Sequence, residues 1–81
     1  MSTAQSRQAH CTADPLALRL ARETFADCPV TMTDDTEANV RYWDGLASIR
    51  RQLHAAGYSD NVTRTAILRA VRVLRAERRA G

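Results

Sequence analysis

The sequence predicts a small, mostly helical domain in the order helix, short strand, helix, helix, with the strand pairing across a homodimer. Three observations lead there. Apolar residues recur at helical spacing in three segments of the 81-residue chain. Between the first two lies Pro29-Val30-Thr31-Met32-Thr33, which alternates apolar with polar and is too short for a helix. A lone strand has no partner for its amides and carbonyls within its own chain, so the simplest partner is the same strand of a second copy. A dimer would also thicken the core of so short a chain, which by itself buries only about 60% of its unfolded surface.

Residues 1–13 are polar, small and aperiodic and read as a disordered tail, leaving 14–81 as a single small helical domain. Asp14-Pro15 opens the first helix: aspartate caps free amides, and proline fits the first helical position. Leu18, Ala21 and Phe25 then share a face, and Pro29 stops a helix expected over 15–27. This helix is expected to pack outside the dimer or to extend its interface. Asp34 with Glu37 three residues on has the pattern of a capping box. It opens an amphipathic helix over 36–56, in which Trp43, Leu46, Ile49 and Leu53 recur at steps of three and four.

Gly57 suits a left-handed cap after that helix, and Tyr58 to Val62 reads as a turn. Asn61 or Thr63 caps the last helix, whose apolar face holds Ala66, Ile67, Ala70, Val71 and Leu74. The expected core and dimer set is Val30, Met32, Trp43, Leu46, Ile49, Leu53, Ile67, Val71 and Leu74. Arg64, Arg72, Arg75 and Arg79 fall on the opposite side of the last helix as an arginine ridge.

Charge is segregated along the chain. All twelve basic residues are arginine. Residues 1–48 carry four arginines against seven acids, whereas 49–81 carry eight against two, so the halves stand at −3 and +6. An arginine-only basic half suits phosphate, because the guanidinium fork grips two oxygens at once.

Gly57-Tyr58-Ser59 followed by Thr63-Arg64-Thr65-Ala66-Ile67-Leu68-Arg69-Ala70 resembles the turn and second helix of the ribbon-helix-helix family of DNA-binding regulators. The resemblance covers about residues 29–77 and is strongest over 57–71. It implies a dimer whose paired strands enter the major groove of DNA, with Thr31 and Thr33 facing bases and Val30 and Met32 facing the core. It implies phosphate contacts from Thr63 and Arg64 at the start of the last helix, supported by Arg69, Arg72 and Arg75. The chain departs from the family pattern in three places. Its strand offers only threonine for base reading, its middle segment is longer, and Asp34 and Asp35 stand beside the strand.

The expected function is thus a sequence-specific, dimeric transcriptional regulator of plasmid, phage or toxin–antitoxin type. A small helical protein-binding inhibitor or adaptor is the alternative, since the acidic and basic halves also suit docking to another protein. A helix-turn-helix DNA binder, reading through Thr63, Arg64 and Thr65, is the third reading. Catalysis, metals and cofactors are not expected. His10, Cys11, Cys28 and His54 lack zinc-ligand spacing, and three glycines form no phosphate loop. No stretch approaches the roughly 18 apolar residues of a membrane span, and the N-terminal residues lack the apolar segment of a secretory signal. A cytoplasmic protein with reduced thiols is expected.

Overall fold

Asp14 accepts a hydrogen bond from the Ala17 amide at 3.0 Å, and Pro15 takes the first helical position. This cap starts α1, Pro15–Thr24, in a computed structural model that describes residues 13–80. The tail expected over 1–13 lies outside the described residues except for Ala13, which is buried. Two longer helices follow, α2 over Thr36–Ala55 and α3 over Asp60–Ala80. Among the described residues there is no strand: the fold is all-α, three helices packed pairwise.

The loss of the strand has a local chemical reason. The Val30 carbonyl and both backbone groups of Thr33 find their partners in side chains instead of a ladder. The Thr33 amide donates to Asn39 Oδ1 at 2.8 Å, and Asn39 Nδ2 donates back to the Thr33 carbonyl at 2.8 Å. The Val30 carbonyl accepts from Arg75 Nε at 2.5 Å. With these groups satisfied, no second copy is required to complete them. Val30 enters the core, but Met32 is 53% exposed, so the two do not form one buried strand face. The paired-strand ribbon is therefore absent among the described residues. Thr31 and Thr33 are exposed loop residues, and Thr33 Oγ1 accepts from the Asp35 amide at 3.1 Å.

Asp35, rather than Asp34, caps α2. Its Oδ1 accepts from the Glu37 amide at 3.0 Å and the Ala38 amide at 3.3 Å. After Ala55, Gly57 takes a φ of +97°, the left-handed conformation that glycine adopts without strain. Ser59 then opens α3, its hydroxyl accepting from the Val62 amide at 3.4 Å and its carbonyl from the Thr63 amide at 2.8 Å. Neither Asn61 nor Thr63 is the cap; both lie inside the helix.

Phe25, the residue that caps the end of α1, is the largest fully buried side chain, and α1 packs against both other helices rather than outside them. Burying a phenylalanine contributes roughly 2–3 kcal/mol. Phe25 stacks obliquely on Tyr42, ring centroids 5.6 Å apart. Tyr58 donates to Asp14 at 2.8 Å, and Arg22 forms a two-pronged ion pair with Glu77 at 2.9 and 2.7 Å. These contacts match the start of α1 to the start of α3 and its end to the far part of α3, so α1 runs with α3 and α2 runs back between their ends.

α1 also decides which face of α2 is buried. The inward stripe is Ala38, Tyr42, Gly45, Ile49 and Leu53, at steps of four, three, four and four. Ile49 and Leu53 are core, as are Val30, Val71 and Leu74, while Leu46 and Ile67 are half-buried at its margin. Trp43, expected in the core, is 57% exposed, because its neighbour Tyr42 takes the place against Phe25.

Candidate interaction groove

α3 carries its arginines in two groups with different surroundings. Arg75 and Arg78 point back at the α1–α2 connection. Arg78 Nη1 donates to the Cys28 carbonyl at 2.6 Å and Nη2 to the Phe25 carbonyl. Arg75 adds the Val30 carbonyl and, through Nη2, the Tyr42 hydroxyl at 3.2 Å. α1 ends at Thr24 rather than at the expected residue 27, well before Pro29, and the Phe25, Cys28 and Val30 carbonyls beyond it need donors, which the two guanidinium groups supply. Arg75 is therefore a structural clamp and not a free phosphate contact.

Thr63 is also removed from the expected DNA face. It is wholly buried, and its Oγ1 has no hydrogen-bond partner among the described residues. Arg64, Arg69 and Arg72 remain exposed, and none forms an ion pair among the described residues. Their positions diverge. Arg64 borders the hollow between α2 and α3, whereas Thr65 and Arg69 border one between α3 and the start of α1. Thr63, Arg64 and Thr65 thus do not share one reading face. Thr31 and Thr33 lie in the α1–α2 loop, and nothing brings them to the start of α3.

The hollow between α2 and α3 is a groove of about 520 Å³. Leu46 and Ala47 of α2 and Ile67 of α3 form its floor, and Trp43 and Leu68 stand at its open side. Trp43 is 57% and Leu68 59% exposed, so two large apolar side chains face solvent together. Arg50 and Arg64 line opposite walls. At one end His54 Nε2 meets, at 2.8 Å, Oδ1 of Asp60, the one acid among the described lining residues. Helical spacing assigns Trp43 inward and leaves Leu68 off the apolar face of α3. The groove emerges only when both are seen outward, on the side of α2 and α3 that α1 leaves uncovered.

The remaining hollows offer less. One of about 300 Å³ beside the end of α1 holds Glu23, Asp27, Asp44 and Arg41. Among the described residues, no group of histidine, cysteine and carboxylate side chains is placed to hold a metal ion. Cys28 is a buried free thiol. No described helix is long and apolar enough to cross a membrane. The chain matches no protein-family model, no curated protein and no solved structure.

Proposed function

We propose that this chain is a non-catalytic protein-binding module, an inhibitor or adaptor, that docks its partner in the α2–α3 groove. The observation that supports this most is the joint exposure of Trp43 and Leu68 over a floor of Leu46 and Ile67. Exposed apolar side chains are common singly, but a contiguous patch with a tryptophan and an arginine rim has the composition of an interface centre. The setting we propose is the cytoplasm, where Cys28 stays reduced.

DNA binding is the second reading, favoured by the exposure of Arg69, Arg72 and Arg79 along α3. One experiment separates the two. A photoreactive side chain placed at Leu68, and in a control at Arg72, is activated in cells. Docking in the groove gives a protein adduct from position 68 that position 72 does not give. DNA titrations against salt complete the test. Steeply salt-dependent binding that is lost in Arg72→Ala and kept in Leu68→Glu would return the chain to the regulator reading.

A further inference from the structure

The groove's chemistry also selects its occupant. Among the described residues its walls carry two arginines without a carboxylate partner against one acid, Asp60, which meets His54. The surplus is positive and sits on both sides of an apolar floor. A second copy fits poorly. It would bring a second Arg50 and Arg64 into one interface, with only Asp60 of each chain to offset them. A single-stranded nucleic acid would want a row of stacking aromatics, whereas among the described residues the lining offers one indole, Trp43, and one imidazole, His54, which already meets Asp60. The floor is otherwise aliphatic, which suits the ridge of a helix. Along α2 the groove runs from Trp43 to His54, about 16 Å at the helical rise, or about three turns of an occupant.

Resting on the docking reading above, we infer that the groove takes an acidic amphipathic helix of a partner protein. Leucine-like side chains of that helix rest on Trp43, Leu46, Ile67 and Leu68. Its carboxylates flank the ridge on both sides and meet Arg50 on one wall and Arg64 on the other.

The test uses the full chain, whose single tryptophan lies in the groove and reports occupancy through its emission. Two synthetic peptides share a leucine ridge and differ only in flanking glutamates or lysines; neither contains an aromatic residue. The glutamate peptide is expected to shift Trp43 emission to the blue and to saturate. It should bind about ten-fold more tightly than the lysine peptide at low salt, a gap that narrows as salt screens it. A central proline in the glutamate peptide should abolish the shift, because it breaks the helix. Arg50→Glu with Arg64→Glu should reverse the preference, and both sites are exposed, so the fold should persist.

Equal binding of the two peptides overturns the acidic partner while leaving docking in the groove intact. No shift with the glutamate peptide overturns the inference, and the cross-link from position 68 then decides the docking reading separately. An emission shift that follows protein concentration and doubles the solution mass gives the groove to a second copy. Quenching by oligothymidylate in place of a peptide response gives it to nucleic acid. Either result also overturns the inference.

Discussion

Phe25 closes onto Gly45 so tightly that a Cβ at position 45 would lie 2.7 Å from the phenylalanine Cε1 and 2.9 Å from Thr24 Cγ2. This is where the end of α1 meets the middle of α2, and Phe25 is wholly buried there. A glycine inside a helix ordinarily costs up to about 1 kcal/mol relative to alanine. Here the missing side chain is what lets α1 enter the core.

Gly45→Ala is therefore expected to lower stability by about 1 kcal/mol net, the overpacking outweighing the gain in helix propensity. Gly45→Val should be worse. Urea midpoints at constant slope measure this, and an alanine variant as stable as the parent would refute the close approach.

Thr63→Val should leave stability unchanged or raise it by about 1 kcal/mol, because the buried hydroxyl it removes has no partner among the described residues. The shape is conserved, so no cavity opens. Thermal melts of the two proteins decide it. A loss above about 1 kcal/mol would mean that the hydroxyl is bonded after all.

Arg78→Ala should destabilise by about 1–3 kcal/mol, since it strips donors from the Phe25 and Cys28 carbonyls at the end of α1. Arg78→Lys should restore only part, because an ammonium cannot span both carbonyls as the planar fork does. Arg72→Ala, on an exposed position without such bonds, should stay within about 0.5 kcal/mol. Equal losses at 72 and 78 in chemical denaturation would remove the distinction between clamp and free arginines.

Tyr58 should make stability fall at high pH. Its hydrogen bond to Asp14, then burial, then the nearby carboxylate charge raise its pKa above the ordinary 10.0. The folded chain thus keeps the phenolic proton over a range where the unfolded chain has lost it. The contribution is whole below pH 10.0 and declines as pH rises from there through the folded-state pKa. Tyr58→Phe should flatten part of this decline. An unchanged alkaline profile in that variant would rule out the linkage.

Several local features were legible because they depend on neighbours in sequence. Asp14-Pro15 announces the start of α1 and Gly57 the left-handed turn after α2, whereas the end of α1 at Thr24 comes three residues before the bound that Pro29 suggested. The cap of α2 slipped by one residue, from Asp34 to Asp35, because two adjacent aspartates offer the same chemistry and only the backbone at 33–35 distinguishes them. The alternation over 29–33 pointed to a strand because periodicity cannot reveal that Asn39 and Arg75, 6 and 45 residues downstream of the groups they satisfy, supply the missing partners.

Capping, proline geometry and helical spacing act within a few residues, so the three helices, roughly where each begins, and the inward Ala66, Ala70, Val71 and Leu74 of α3 were legible in the sequence, whereas the burial of Thr63 was not. Tertiary structure, through the packing of α1, settled which face of α2 is core, because Tyr42 rather than Trp43 meets Phe25. It likewise decided which arginines are clamps and which are free: Arg75 and Arg78 find carbonyls of the α1–α2 connection, while Arg50 and Arg64 find none and border the open groove. Side chains of one type look alike in a sequence. Their roles separate when a distant segment brings, or fails to bring, a partner within hydrogen-bonding distance.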